Sequence, residues 1–467
     1  MRPTFLCLAL IILLPLAHAR AIPAFRTAAA ARAWAEAQER AGHYESAAEA
    51  YEREARLRRA TGDPQGADVE HRRARRLATD LALAVLGPIP PPHRLAKFEP
   101  AAGCYLGVLD GDGGSADDFE ERAGRRLALA FEYDAYGRPF PVTWARHQAE
   151  QGRAIQIAWE PNDIAAVRDD DYLEGWAEDA ARAEVPIFLR FGGEMNGAWT
   201  PWGRDPAAYR RAFRTVHDVM ARRAPNVAMV WAPNDIPLDN LDRYFPGDDV
   251  VDWVGLSLYI VRFYDDDPRR PAWQDHPLTF IEPFYQKYAA RHPLCLVEWG
   301  VTRRSRVEGV DADPFAAARI EDLFDAIKVR FPRLKMACAF ARNNLTGGRD
   351  GRRLNDYSLP PGSLALDSYR QAASDSYFLT EVSVPFGGGS PYAYQRLTRR
   401  LPPRYAGPVA VSLSTYALNP TLSLSRPGLA RRLSRPYGFA LPPGHGPLTV
   451  RVQDPQGRVA QTVSLAE

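Results

Sequence analysis

Eight short apolar runs that alternate with helical stretches constrain the fold of this chain more than any other feature. The runs lie between residues 105 and 340, and the helical stretches between them include residues 206–223 and 313–330. Regular alternation of strands and helices favours parallel strands joined by crossover helices. The predicted strands span residues 105–109, 127–133, 154–159, 186–191, 227–232, 253–260, 294–298 and 336–340.

Eight strand–helix units over about 280 residues fit an α/β fold of the (β/α)8 barrel type. A doubly wound open sheet is the alternative, but no glycine-rich phosphate-binding sequence follows the first strand. We therefore expect a barrel over residues 100–380.

The N-terminus has the pattern of a secretory signal peptide over residues 1–21. Arg2 precedes an apolar run, residues 5–16, and small residues near position 19 offer a cleavage site. The run is short for a membrane span, and an uncleaved anchor is the alternative. We expect a secreted or periplasmic protein without a membrane span in the mature chain.

Residues 22–86 are rich in Ala, Glu and Arg, and predict helices over 28–41, 45–61 and 65–86. The helix–Gly-His-Tyr–helix pattern resembles a single tetratricopeptide-type unit, which cannot bury its own apolar face. A protein partner for these helices and a plain helical spacer are both open interpretations. A proline-rich linker is expected over 87–99.

The tail, residues 381–467, lacks helical periodicity and contains short β-type runs among Pro and Gly residues. This pattern predicts a small β-sandwich. Such a domain either binds carbohydrate or packs as an appendage.

Charge and cysteine content exclude several classes of function. The formal net charge is +2, so no nucleic-acid-binding field is implied. After signal cleavage three cysteines remain, Cys104, Cys295 and Cys338, and their spacing matches no zinc motif. No cluster of His and carboxylates indicates a metal, and we predict neither a metal nor a cofactor.

Two glutamates follow the fourth and seventh predicted strands, where barrel enzymes carry their catalytic groups. Strict alternation places Glu194 on one face with Arg190, and Glu298 on one face with Leu294 and Leu296. If both faces point inward, the carboxylates converge at one barrel mouth. A pair of carboxylates is what glycoside hydrolysis requires.

The segment Arg190 to Trp202, with Glu-Met-Asn-Gly-Ala-Trp-Thr-Pro-Trp-Gly from Glu194, resembles the acid/base motif of glycoside hydrolase family 26, the β-mannanase-like family. Residues 246–259 resemble the sixth-strand block of that family, and residues 296–300, Leu-Val-Glu-Trp-Gly, resemble its nucleophile strand. Asn-Asp-Tyr at 355–357 resembles its closing segment.

The resemblance implies a retaining O-glycosyl hydrolase with Glu194 as acid/base and Glu298 as nucleophile. It also matches Tyr259 to a tyrosine that hydrogen-bonds the nucleophile. The further residues expected to contact substrate, on position and chemistry, are Arg190, Trp199, Trp202, Trp299, Trp159 and Asn196.

The motif departs from the family at Gly193, where many mannanases have a histidine that touches the sugar. The expected substrate is therefore a β-linked polysaccharide: mannan, glucan, or a polysaccharide that the cell itself secretes. A non-catalytic carbohydrate-binding protein or a polysaccharide export accessory is the competing hypothesis.

Overall fold

The computed structural model describes residues 22–90, 94–111, 114–348, 351, 353–383 and 388–467. The predicted signal peptide, residues 1–21, lies outside them. The chain forms two compact units, one ending at Ala78 and the other beginning at Thr79.

The first unit contains three helices, α1 Ala28–Arg40, α2 Tyr44–Ala60 and α3 Pro64–Leu77. Thr27 and Asp63 cap α1 and α3 by accepting hydrogen bonds from backbone N–H groups of the first turns. Alanines and Tyr51 form the buried interface between the helices. All three predicted helices are present, but the third is shorter than expected.

The expectation that the third helix extends to residue 86 is wrong. Residues Asp80–Gly87 form a strand, β1, which belongs to the second unit. The run Leu81–Val85 is buried, and its partners are strands near the C-terminus of the chain. Distant β pairing thus overrides a helical pattern that the local sequence favours.

The eight predicted barrel strands are all present and form a closed parallel barrel, because the last strand pairs with the first. The first, fourth and seventh of them are β2, β5 and β8 in the numbering of the whole chain. The strands are β2 Cys104–Asp110, β3 Leu129–Ala135, β4 Ala154–Glu160, β5 Ile187–Phe191, β6 Val227–Trp231, β7 Trp253–Ile260, β8 Leu294–Val301 and β10 Leu334–Ala341, with the short strands β9 Arg304–Ser305, β11 Asn355–Asp356 and β12 Phe378–Leu379.

Helices surround the barrel and cover its outer apolar face. They are α4 Ala116–Ala123, α5 Val142–Glu150, α6 Asp171–Arg182, α7 Pro206–Arg223, α8 Leu241–Tyr244, α9 Pro277–Tyr288, α10 Asp313–Val329, α11 Asn344–Gly347 and α12 Leu364–Ala373. Among the residues that the structure describes, no helix has the length and apolar character needed to cross a membrane.

Side-chain alternation along the strands divides the barrel core into two layers. In β5, Ile187 and Leu189 pack outward under the helices, whereas Phe188 packs inside the barrel. In β3, Phe131 likewise packs inside. Polar side chains that continue the inward phase therefore project into the barrel mouth.

The predicted C-terminal β-sandwich consists of two four-stranded antiparallel sheets around one apolar core. The first has the order β13-β1-β14-β17 and the second the order β16-β15-β18-β19. The strands are β13 Ala393–Leu397, β14 Gly407–Ser414, β15 Thr421–Arg426, β16 Leu429–Leu433, β17 Phe439–Leu441, β18 Leu448–Gln453 and β19 Val459–Leu465.

We call β1 together with β13–β19 the β-module. Because β1 lies between β13 and β14, the chain contributes a central strand of the module before it enters the barrel. Arg330 at the end of α10 donates hydrogen bonds to Asp80 and Ser412, which join the barrel to the module.

Candidate active site

Glu298 projects into the barrel because β8 contains a β-bulge. Leu294 and Leu296 belong to the outer layer, and Val297 belongs to the inner one. The pairing with β7 skips one residue at this point, from Leu256 opposite Leu296 to Ser257 opposite Glu298. Strict alternation would have turned Glu298 outward with the leucines, so the expectation of a shared face is wrong. The bulge reverses the phase and directs the carboxylate inward.

Three side chains donate hydrogen bonds to the buried Glu298 carboxylate. Arg190 Nη2 lies 3.0 Å from Oε1, and Ser257 Oγ lies 2.9 Å from the same oxygen. The Tyr133 hydroxyl donates to Oε2. Burial alone would raise the pKa of Glu298, but the charge of Arg190 and these hydrogen bonds outweigh it, so the pKa lies below its usual range. Glu298 is thus held as a carboxylate.

Tyr133 is a site residue that the sequence analysis missed. It continues the inward phase of Leu129 and Phe131 at the end of β3, and 41% of its surface is exposed while its hydroxyl reaches Glu298. Burial and the nearby Glu298 charge raise its pKa well above the usual value, so the hydroxyl keeps its proton. Inward phase together with position at a strand end would have identified it.

Glu194 follows β5 in a left-handed backbone conformation, with φ of 57°. Its N–H donates to the carbonyl of Ala232 at 2.8 Å, which holds this unusual turn in place. Asn234 Nδ2 donates to Oε1 at 3.0 Å, and Trp199 Nε1 donates to Oε2 at 2.8 Å. Non-glycine residues in this region carry backbone strain that tends to occur at functional sites.

Both glutamates approach the same nitrogen of one guanidinium group. Arg190 Nη2 is 3.0 Å from Glu298 Oε1 and 4.0 Å from Glu194 Oε1. The two oxygens are therefore at most about 7 Å apart. This limit is compatible with the carboxylate separation of ~5–5.5 Å in retaining glycosidases, and it excludes most of the ~6.5–9.5 Å range of inverting ones.

The hydroxyl of Tyr259 does not take the expected place beside the nucleophile. Its ring packs against Tyr357 and Phe340 with centroids 5.0 and 5.7 Å away, and the hydroxyl donates no hydrogen bond to Glu298. Burial and the Glu298 charge nonetheless raise the pKa of Tyr259 well above its usual value. Tyr259 lies near Glu298, but Tyr133 donates the hydrogen bond that was expected of Tyr259.

Of the four tryptophans expected to contact sugar, one is exposed at the mouth. Trp199 is 44% exposed and its indole is hydrogen-bonded to Glu194. The structure corrects the expectation for the other three, whose rings are buried in the outer core layer. Trp159 stacks on Trp176, Trp299 packs against Phe324 and Tyr369, and Trp202 donates its indole N–H to the Gly193 carbonyl.

Asn196 is buried and joins two loops of the mouth. Its Nδ2 donates to the carbonyls of Asn234 and Pro237, and its Oδ1 accepts from the Asn234 N–H. The carboxamide is occupied within the protein, so Asn196 positions the loop that carries Glu194 relative to the loop that carries Asn234.

Gly193 lies directly against Arg190. A Cβ atom at this position would lie 2.4 Å from Arg190 Nε and 2.7 Å from Cζ. Contacts this short are not tolerated, and Ser257 and Glu298 hold the guanidinium in place. Any side chain at residue 193 would therefore displace the guanidinium group that is bonded to Glu298.

Within the described ranges no three His, Cys, Asp or Glu side chains are grouped so that they could hold a metal ion. The three cysteines are buried and free, and burial raises the pKa of each thiol.

Part of the chain that forms this site is similar to a known family. Residues 146–269 match the family model described as glycosyl hydrolase family 26, a range that includes Arg190, Glu194 and Ser257. Among solved structures, a family 26 β-mannanase from Bacteroides ovatus aligns at 18% identity over 61% of this chain and 92% of that one, with a TM-score of 0.43.

The chain spans 30% and 39% of the lengths of two curated relatives that it matches. Endoglucanase H of Acetivibrio thermocellus is 23% identical over 290 residues, 58% of this chain and 30% of that protein. A β-1,3-xylanase of a Vibrio species is 36% identical over 201 residues, 39% of this chain and 39% of that protein. Residues 146–269, which contain strands β4 to β7 of the closed barrel, are thus similar to glycosyl hydrolase family 26.

Proposed function

We propose that the barrel is a retaining endo-glycosidase that cleaves a β-linked polysaccharide. One observation carries the proposal: two carboxylates with different surroundings flank Arg190 at the barrel mouth. Glu298 is buried, ion-paired and held as a carboxylate, whereas Glu194 is partly exposed and bonded to neutral donors. Different environments for two nearby carboxylates are typical of an acid and a nucleophile.

In the first step Glu298 attacks the anomeric carbon of the bound sugar while Glu194 protonates the leaving glycosidic oxygen. The bond from the anomeric carbon to that oxygen breaks, and a glycosyl ester of Glu298 forms. Arg190, Ser257 and Tyr133 orient Glu298 for this attack through their hydrogen bonds.

In the second step Glu194, now a carboxylate, takes a proton from water. The resulting hydroxide attacks the anomeric carbon, Glu298 leaves, and the sugar is released with its original configuration. The Trp199 indole and the Asn234 amide hold the Glu194 oxygens in both steps.

The substrate is a polysaccharide such as mannan, glucan or a polymer that the cell itself secretes. The exposed rings of Tyr133 and Trp199, each bonded to one of the two glutamates, offer apolar faces for successive sugar rings. The relatives named endoglucanase and β-1,3-xylanase support a β-linked main chain. Glycine at 193 removes a sugar contact expected of mannanases, which favours glucan or another polymer over mannan.

Export of the protein and a partner for its helices are further parts of the proposal. The signal-peptide pattern of residues 1–21 supports secretion or export to the periplasm. The three-helix unit, with its tetratricopeptide-like pattern, supports binding to another protein of the same compartment.

The test measures product release from mannan, β-glucans, β-xylans and bacterial exopolysaccharides with wild type, Glu194→Gln and Glu298→Gln. We expect either substitution to lower polysaccharide hydrolysis by about 10³-fold or more. Glu150→Gln, at an exposed position on α5, is the matched control and should keep full activity. Wild-type turnover in both site variants would refute the assignment.

Aryl glycosides separate the two roles. A phenolate leaving group of low pKa needs no proton, so Glu194→Gln should still form the glycosyl-enzyme with it, whereas Glu298→Gln should not. NMR of the first product should show retained anomeric configuration. Inverted product would contradict the role of Glu298 as nucleophile. Tight glycan binding without any product would favour the non-catalytic alternative.

A further inference from the structure

The C-terminal strands carry a large positive charge that the rest of the chain does not share. Residues 388–467 contain ten arginines, no lysine and only two acids, Asp454 and Glu467. Ten positive and two negative charges give this segment a formal charge of +8, against +2 for the whole chain. The remaining residues are therefore net negative.

Most of this charge is exposed and unpaired within the described part of the chain. Arg458 is ion-paired with Asp454, and Arg435 pairs with barrel acids. The exposed arginines of the segment that form no ion pair with a described residue are Arg396, Arg399, Arg400, Arg404, Arg431, Arg432 and Arg451. Seven such charges create a positive field that attracts anions.

Two arginines stand in one row across the sheet β16-β15-β18-β19. Arg432 in β16 lies opposite Ser423 in β15, Ser423 lies opposite Arg451 in β18, and Arg451 lies opposite Thr462 in β19. Directly opposed residues of antiparallel strands share a face. Arg432 and Arg451 are two strands apart, about 10 Å at the usual strand spacing.

The same face is a regular array of small polar side chains. The alternate face buries Leu422, Leu424, Val450 and Val452 in the module core. We define the arginine face by its residues, Thr421, Ser423, Ser425, Arg432, Thr449, Arg451, Thr462 and Ser464. It combines two cations with hydroxyl donors and acceptors in rows, and the exposed Val459, opposite Gln453, lies at one end of it.

We propose that the arginine face binds an acidic polysaccharide, one whose sugars carry carboxylate or sulfate groups. Guanidinium groups pair well with such anions, and the hydroxyl rows can exchange hydrogen bonds with sugar hydroxyls. The choice of a polysaccharide among polyanions rests on the proposed glycosidase function. The barrel and the arginine face would then hold the same polymer, with the face retaining it between cuts.

Binding is measured by isothermal calorimetry with polygalacturonate as the acidic probe and dextran as the neutral one, using the full chain with Glu298→Gln. We expect binding of polygalacturonate but not of dextran, weakened as NaCl is raised from about 50 to about 500 mM because salt screens exposed charges. This calorimetric measurement detects binding and requires no hydrolysis. If the glycosidase proposal fails, the result therefore still tests whether the arginine face binds an acidic polysaccharide.

The variant Arg432→Gln/Arg451→Gln should bind polygalacturonate about tenfold more weakly or worse, since each arginine loses a charge-assisted hydrogen bond. Its control, Arg146→Gln/Arg211→Gln, removes two exposed arginines from barrel helices and changes the net charge equally. The control should change affinity by less than about twofold. Unchanged thermal unfolding shows that the substitutions leave the fold intact.

Three outcomes overturn the proposal: no binding of polygalacturonate, equal weakening by both double variants, or tighter binding of duplex DNA than of polygalacturonate. The second outcome would show that net charge alone accounts for the weaker binding of polygalacturonate. The third would assign the surface to a nucleic acid instead of a glycan.

Discussion

Arg190 and Glu298 form a buried ion pair in which Nη2 lies 3.0 Å from Oε1. The same nitrogen lies 4.0 Å from Glu194, so one guanidinium connects the two acids of the site. Its Nε and Nη1 atoms are buried without a hydrogen-bond partner within the described structure. Its position therefore depends on Ser257, Glu298 and the bare backbone of Gly193.

Replacing Arg190 should raise the pKa of Glu298. In the wild type the arginine charge lowers this pKa, so Glu298 stays ionised in mild acid. As the pH is lowered, kcat/KM falls when Glu298 takes up a proton; we call this part of the pH profile the acid limb. In Arg190→Met the acid limb should lie at a higher pH than in the wild type, because Glu298 is protonated more readily without the arginine charge. The shift of the acid limb is read from kcat/KM against pH.

Arg190→Lys keeps the charge and serves as the control. Breaking a buried ion pair costs about 3–5 kcal/mol, so thermal unfolding of Arg190→Met is measured in parallel. Glu298 also stabilises the fold above its unfolded pKa, and this stability is lost as the pH falls through the folded pKa. An unmoved acid limb in a folded Arg190→Met would contradict the assigned role of the ion pair.

Replacement by phenylalanine should lower kcat strongly at Tyr133 and only slightly at Tyr259. Tyr133→Phe removes a hydrogen bond to Glu298 and should lower kcat by about 10–100-fold, with the acid limb moved to higher pH. Tyr259→Phe removes a hydroxyl that makes no bond to Glu298 and should change kcat by less than about threefold. Steady-state kinetics on one polysaccharide compare the two, and the reverse order would restore the family-based expectation.

A side chain at residue 193 should damage catalysis instead of improving mannan hydrolysis. Gly193→Ala brings a Cβ within 2.4 Å of Arg190 Nε, so the guanidinium must move away from Glu298. We expect kcat to fall by at least about tenfold on every substrate that the wild type cleaves. Gly193→His should be at least as severe.

Gly175→Ala is the matched control for Gly193→Ala. Gly175 lies within α6, and a Cβ there meets no atom within 4 Å. Alanine should stabilise the helix by about 0.5–1 kcal/mol and leave kcat unchanged. New mannanase activity in Gly193→His would contradict this prediction, because it would show that Arg190 can move without loss of catalysis.

The β-module should depend on β1. A chain that begins at Thr79 keeps this central strand, and it should unfold cooperatively and retain activity. A chain that begins at residue 94 leaves β13 and β14 without their shared partner and exposes the core around Leu413. We expect that chain to aggregate or to lose its unfolding transition. Equal thermal stability of the two truncated chains would contradict the assignment of β1.

The barrel itself was predictable from sequence because its signal is local. Each strand is a continuous apolar run with a helix behind it, and all eight runs became strands of the closed sheet. The β1 segment was not predictable in this way. Its residues continue a helical pattern, and only pairing with strands more than three hundred residues away makes them a strand.

The sequence by itself determined which residue types stand at the ends of the strands, and thus that two glutamates, an arginine and several aromatics surround one mouth. The tertiary structure decided which of them face it. A bulge at Val297 turns Glu298 inward, and the outward phase buries Trp159 and Trp299 under the helices. The direction of a side chain depends on the register between neighbouring strands, and register is a property of the closed sheet that no single strand encodes.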